Sequence, residues 1–451
     1  MNDSANDSRD MQASHDGQYK KDSLSLIGAV AMGTGVMIGA GVFALTGQIA
    51  EQAGGLFPYA FLASAVVTGF SAYSYVKMSN VYPSAGGIAM YLEMAYGKGV
   101  MTAGCALLMY FSMVINESLV ARTFGTYTLQ LFDVGKNSWL VPALGVGLIA
   151  FAYIVNISGN RFIGTFSMVM AAIKIVGIAA FAIIGLWVAD FSPEGLTSTN
   201  DASGGGFVAS IALGILAYKG FTTITNSGAE VTDPHRNVGR AIVLAIAICV
   251  VVYLLVAFAV GSSLPLDRIV AAKDYALAEA AQPALGQTGF YLTVALALVA
   301  TASGLIASVF AVSRMLAMLT DMKMIPHSHF GMPGTIKDHT LVYTVVIAGF
   351  LTIFFDLSRI ASLGAFFYLV MDIIIHWGVY RHLRHDIGAR GWVLLTAITL
   401  DAVVLSAFAA MKWRSDPLIV VLALIGMALV FLFVGVFLAH NPVREGAHDH
   451  H

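Results

Sequence analysis

Gly33-Thr34-Gly35-Val36-Met37-Ile38-Gly39-Ala40-Gly41-Val42-Phe43 places four glycines within nine residues, inside an apolar run from about Leu24 to Ala50. That run is otherwise long enough to cross a bilayer, since a spanning helix needs about 20 apolar residues. Each glycine in a helix interior costs about 1 kcal/mol relative to alanine. Within a membrane, a helix opens only where protein or a water-filled cavity satisfies the freed backbone groups. The stretch therefore predicts a spanning helix broken near Gly39, where backbone N–H and C=O groups face a ligand. A second interrupted segment is expected near Leu216-Ala-Tyr-Lys-Gly-Phe221.

The 451 residues are 58% hydrophobic and 11% charged, whereas a soluble domain carries about 25% charged residues. The chain therefore reads as an all-α polytopic membrane protein whose main partner is the lipid bilayer. Formal net charge is −2; no basic patch suits nucleic acid. Cys105 and Cys249 fall within apolar segments, so neither a disulfide nor a metal site is expected. Residues 1–22 are polar, lack an apolar signal core and read as a disordered cytoplasmic tail. Residues 441–451 read as a second tail, whose His448-Asp-His-His451 end is expected to be solvated rather than metal-bound.

Hydropathy predicts twelve segments, at about 24–50, 57–77, 101–131, 139–156, 162–189, 207–228, 240–262, 289–319, 340–356, 358–381, 392–412 and 418–440. They form one transmembrane domain over 23–440. Fourteen Lys and Arg fall on the side of the N-terminus and six on the other, with Arg122, Lys174, Lys219 and Arg314 within segments. This asymmetry places both termini in the cytoplasm of a cell-membrane protein. The acidic stretch 190–206 reads as a flexible external connection, and Asp274 to Ala284 as a short external helix.

The two interrupted segments are separated by four intact ones. That order fits a five-plus-five inverted repeat, 24–189 and 207–381, followed by two extra helices over 392–440; paired interruptions point to the binding site of a secondary transporter. An unrelated twelve-helix bundle gives the same count.

Five motifs in order resemble one family. Gly39-Ala-Gly-Val-Phe43, after Met37-Ile38, resembles the first-helix signature of the amino acid–polyamine–organocation (APC) permeases. Tyr82-Pro-Ser-Ala-Gly-Gly87, with Tyr91-Leu-Glu93 and Tyr96-Gly97, resembles the loop after their second helix. Ala217-Tyr-Lys-Gly-Phe221 resembles their broken sixth helix, and Glu230-Val-Thr-Asp-Pro-His-Arg-Asn-Val-Gly-Arg-Ala-Ile242 the connection to their seventh. Ser313-Arg-Met-Leu316, with Asp321 and Ile325-Pro326, resembles the end of their eighth. The resemblance covers about Ser25 to Pro326. It implies a LeuT-like fold and secondary active transport of amino acids or related amines by alternating access, without ATP or an organic cofactor.

A zwitterionic substrate needs replacements for its water at both ends. Amides around Ile38, Gly39, Ala40 and Gly41 are placed to receive a carboxylate. Carbonyls of Leu216, Tyr218 and Lys219 are placed to receive an ammonium, and Tyr218 and Phe221 to cover the substrate. The alternative for the glycines is close packing between helices, and for the aromatics ordinary core packing.

Lys174 stands twelve residues into its segment, roughly 18 Å from that end, beyond the reach of a side chain of about 6 Å. An intramembrane lysine is a functional hypothesis by default. In proton-coupled family members a lysine at this place replaces a coupling sodium ion, so the resemblance implies that Lys174 carries the coupling proton. The alternative is a fixed cation that holds helices one, five and eight through carbonyls and Ser303 or Ser308. Lys219 departs from the family's small or apolar residue. Three readings stay open for it: pairing with a buried acid such as Glu117, contact with a substrate anion, or rejection of cationic amines. Asp372 reads as a gate or proton-path residue, or as a structural hydrogen bonder. Glu230, Asp233, Arg236 and Arg240 read with Arg314 and Asp321 as a possible ion-pair gate, and His327 and His329 as loop residues.

Proton-coupled symport is the leading expectation. Exchange of amino acids or amines, and import of an inorganic cation such as potassium, are the alternatives. No His-Glu-x-x-His motif and no nucleophile constellation favours an enzyme. Substrate identity, stoichiometry and oligomeric state are not legible in the sequence.

Overall fold

A computed structural model describes residues 22–84, 86–132, 138–157, 160–190, 203–326 and 335–441, with the side chains of 40, 160–168 and 337 outside that description. Both expected tails, most of the acidic connection, His327, His329 and the His448-Asp-His-His451 group lie outside the described residues.

Fifteen helices follow one another among them: α1 (Leu26–Ala53), α2 (Phe57–Val81), α3 (Ile88–Tyr96), α4 (Val100–Leu129), α5 (Leu140–Ile157), α6 (Asn160–Val188), α7 (Gly204–Tyr218), α8 (Thr222–Thr225), α9 (Pro234–Ser263), α10 (Leu266–Ala271), α11 (Ala276–Asp321), α12 (Ile336–Phe354), α13 (Leu357–Gly378), α14 (Gly391–Ser415) and α15 (Pro417–His440). Among the described residues, ten helical stretches are long and apolar enough to cross a membrane; Leu26–Gly39 and Asp338–Phe354 are shorter apolar helices. Helix starts follow local chemistry. The Ser25 hydroxyl accepts from Gly28 N–H to cap α1, Ser203 accepts from Gly206 N–H to cap α7, and Thr335 with Asp338 forms a capping box on α12.

Burial is arranged for lipid. α4 and α7 are almost wholly enclosed, whereas α5, α6 and α15 present Phe151, Ile154, Val176, Trp187, Leu424 and Phe433 outward. Apolar faces of that extent are a liability in water and carry no such penalty against hydrocarbon. α1 sits at the centre, packed on α6, α7, α9 and α11. The expected short helix before the eighth span is present as the start of α11, set off by Gly286 at φ 61°.

Two expectations change. α1 runs without interruption from Leu26 to Ala53 instead of opening near Gly39. Its glycines are used for close approach: a Cβ on Gly39 would stand 3.0 Å from the Ala300 carbonyl oxygen, and one on Gly33 only 2.5 Å from Ile224. The second interruption is present but closed. α7 tightens into a 3-10 turn over Lys219–Phe221, where Gly220 lets the backbone at Met37 come within 2.8 Å of the Cβ position. A 3-10 turn keeps most backbone groups paired while narrowing the helix, as a low-dielectric interior requires.

The same criterion separates two glycines elsewhere. A Cβ on Gly125 would lie 2.2 Å from the Val141 carbonyl oxygen, whereas Gly147 has open space. Gly125→Ala is expected to lower unfolding free energy in detergent by about 1–3 kcal/mol. Gly147→Ala should be neutral or stabilising by up to about 1 kcal/mol. Equal effects would contradict this helix contact.

Candidate substrate and coupling site

The α1 glycines admit a side chain from the next helix. Lys174 on α6 is 1% exposed, and its Nζ donates to the Gly35 carbonyl oxygen at 2.8 Å. A carbonyl has two lone pairs, so Gly35 accepts from Lys174 without leaving the helix. Lys174 thus fastens α6 to α1. Ser303 and Ser308 take no part: Ser303 donates to the Val299 carbonyl at 2.7 Å, and Ser308 to Glu117 Oε1 at 3.3 Å.

Lys219 reaches α4. Its Nζ donates to the Ser112 carbonyl at 2.7 Å and to Ser112 Oγ at 2.6 Å, and lies 5.5 Å from the centre of the Tyr368 ring. The expected ion pair with Glu117 is absent among the described residues. Five residues separate Ser112 from Glu117 on α4, a rotation of about 140°, so a side chain anchored at one does not meet the other. Glu117 is fully buried, and its Oε2 has no hydrogen-bond partner among the described residues.

Tyr253 of α9 ties the two expected binding segments together. Its hydroxyl donates to the Met37 carbonyl at 2.6 Å and lies 3.1 Å from the Ala217 carbonyl, linking α1 to α7. Tyr218 stacks at 4.8 Å from the Tyr253 ring, and Phe221 meets Tyr75 edge-on at 5.3 Å. Ile38 and Leu216 are buried. The amides of Ile38, Gly39, Ala40 and Gly41 belong to the unbroken α1, so they are not free anion donors in this conformation. The Lys219 carbonyl is likewise taken, by Thr222 Oγ1 at 2.9 Å. A buried carbonyl must find a donor, and threonine supplies one locally.

The two ends of the bundle differ. Near the start of α1, Arg314 pairs with Glu230 at 2.8 Å and stacks over Phe310 at 3.8 Å. Leu24 N–H donates to the Glu230 carbonyl and Thr232 N–H to the Leu24 carbonyl, both at 2.9 Å. Of the expected ion-pair gate, Glu230 and Arg314 are joined. Asp233, Arg236 and Arg240 are exposed, and no ion pair links them to the gate among the described residues. The far end holds a polar cleft of about 730 Å³, lined in part by Gln48, Glu51, Lys273, Asp274, Arg359 and Asp416. Burial pushes the Asp274 carboxyl above the usual carboxylate range, opposed by neighbouring Lys273 and by a 2.7 Å bond from Gln48.

Sequence reading missed Ser112, Tyr253, Tyr368, His376 and Asp401. Asp372 is joined to α2 by Tyr75 at 2.5 Å and Ser71 at 2.6 Å, and stands beside His376 and Asp401. The signal available was Asp372 and His376 four residues apart, on one face of an apolar helix.

A helical bundle with bilayer-length apolar helices and an apolar exterior is that of a polytopic membrane protein. Residues 24–443 match the family described as amino acid permease, and the chain belongs to that family. It is 28% identical to the inner membrane transport protein YbaT of Escherichia coli K12 over 93% of this chain and 96% of that one. It is 26% identical to the branched-chain amino acid permease BcaP of Lactococcus lactis, over 79% and 81% of the two chains. It is also 26% identical to the serine/threonine exchanger SteT of Bacillus subtilis, over 60% and 61%.

The Lys219 contact carries a test. Ser112→Ala removes one of its two oxygen partners, and a hydrogen bond to a charged group contributes about 1.5–3 kcal/mol. Thermal unfolding in detergent should show a loss of that size. An unchanged transition would contradict the contact.

Proposed function

We propose that this protein is a secondary active transporter that moves amino acids or related amines by proton symport, with Lys174 carrying the coupling proton. The observation that carries the reading is the 2.8 Å bond from Lys174 Nζ to the Gly35 carbonyl, inside the glycine-rich stretch of α1. Family membership supports permease activity. The printed names of BcaP and SteT support amino acids as the substrate class.

In this reading the closed packing is one state of a cycle. Protonated Lys174 holds α1 against α6. Loss of the proton removes the charge that strengthens the bond to Gly35 and loosens α1. Because each of the four glycines costs about 1 kcal/mol in a helix interior, unwinding between Gly33 and Gly41 is cheap. The amides from Ile38 to Gly41 then become donors for a substrate carboxylate. Rearrangement of the Lys219–Phe221 turn frees the carbonyls of Leu216, Tyr218 and Lys219 for the ammonium, and Tyr218 and Phe221 cover the rest. Residues 24–189 and 207–381 act as inverted repeats around this point. Both termini lie in the cytoplasm, so the Glu230–Arg314 pair with the Leu24 latch is the inside gate. The two lysines disfavour an inorganic cation at the centre by direct repulsion.

Uptake of labelled amino acids and amines into proteoliposomes, with and without an inward proton gradient, tests this. Gradient-stimulated uptake is expected for the wild type, and Lys174→Ala should reduce it to the level of empty liposomes while substrate binding persists. Full proton-dependent uptake by Lys174→Ala would rule out the coupling role. Uptake only into preloaded liposomes would assign exchange instead, as the name of SteT describes for that relative.

A further inference from the structure

Away from the lysines, one group of side chains lacks the partners that its burial demands. Asp372 and His376 lie one turn apart on α13, and Asp401 faces them from α14; all three are fully buried. Their outer atoms are occupied. Asp372 Oδ1 accepts from the Tyr75 hydroxyl at 2.5 Å and Oδ2 from Ser71 at 2.6 Å, while His376 Nδ1 lies 2.8 Å from Ser74 Oγ. The inner nitrogen of His376 and the oxygens of Asp401 are not. His376 Nε2 is 3.4 Å from Asp372 Oδ2 and 3.7 Å from Asp401 Oδ2. It makes no hydrogen bond among the described residues, and neither does either oxygen of Asp401.

We propose that Asp372, His376 and Asp401 bind a single divalent transition-metal cation of the zinc class. One nitrogen and two carboxylate oxygens converge within 4.8 Å of one another. Donors placed about 2.0–2.2 Å from a tetrahedral zinc ion are about 3.3–3.6 Å apart, close to the two separations here. A shared proton would instead draw donor and acceptor to about 2.5–2.9 Å. Two carboxylates balance the charge of a dication, so the filled site is neutral where hydrocarbon surrounds the bundle. Imidazole and carboxylate together suit zinc among the divalent ions. The outer contacts complete the pattern expected around a metal. In the metal-binding tautomer, His376 Nδ1–H donates to Ser74 and the Nε2 lone pair points inward, while Tyr75 and Ser71 orient Asp372. The ion would pin α13 to α14, with α2 holding the ligands in place. Tyr75 also meets Phe221 edge-on at 5.3 Å, so the site adjoins the proposed transport site, but metal binding is read without transport.

The test uses the full chain with His448, His450 and His451 replaced by alanine, so that the tail contributes no ligands. Protein from zinc-supplemented cells is assayed for metal content, which covers a site that fills only during folding. Protein from zinc-depleted cells is titrated with Zn²⁺ and, separately, with Co²⁺, whose visible bands report tetrahedral coordination. One ion per chain and a tetrahedral Co²⁺ spectrum are expected. Asp401→Asn and His376→Asn, which conserve size, should abolish both. Ser74→Ala should weaken binding by about 10–100-fold. No stoichiometric metal in either preparation, or equal binding by Asp401→Asn, would overturn the proposal. So would an infrared carboxylic-acid band that titrates with pH and vanishes in Asp401→Asn without any metal binding, because it would assign the group to protons.

Discussion

The bond between Lys174 and the Gly35 carbonyl is the contact around which the interior is arranged. A lysine nitrogen at that depth has no water to reach, so its partner must come from the protein. A helix offers such a partner only where a neighbour approaches closely enough to touch its backbone. At Gly35 the two helices are close enough for Nζ to lie 2.8 Å from the carbonyl oxygen, with a Cβ there in ordinary contact at 3.5 Å. The lysine and the glycine are therefore one feature on two helices.

The same logic repeats around α1. Tyr253 reaches the Met37 carbonyl because Gly41 leaves room for its ring; a Cβ on Gly41 would stand 2.2 Å from the hydroxyl oxygen. Gly220 lets the 3-10 turn of the sixth segment press on Met37. Polar side chains from α6 and α9 thus hold carbonyls of α1 that a regular helix leaves half used. These contacts are modest and reversible, unlike apolar packing against a bulky side chain. In the proposed cycle they suit an element that is held in one state and released in another.

Much of this was legible in the sequence. The apolar segments and the depth of Lys174 follow from composition and from helix rise. The glycines marked α1 and the sixth segment as special, and Glu230 and Arg314 were expected at one gate. Local pattern could not reveal which backbone groups were occupied. Glycine permits both an opened helix and a close helix contact, and the choice rests on Tyr253 and Ile224, which lie far away in sequence. The readings left open for Lys219 included pairing with Glu117, whose opposite charge suggested it, but not the Ser112 oxygens that accept from it. Asp401 escaped notice because it lies 29 positions beyond Asp372, on another helix, and only packing brings them together.

The central claim is that Lys174 controls the order of the glycine-rich stretch. Hydrogen–deuterium exchange of the backbone amides from Gly33 to Phe43, in wild type and Lys174→Met, measures it most directly. The account predicts faster exchange there in the variant, with α4 unchanged as an internal reference. Identical protection of that stretch in the two proteins would show that α1 is held without the lysine, and would contradict it.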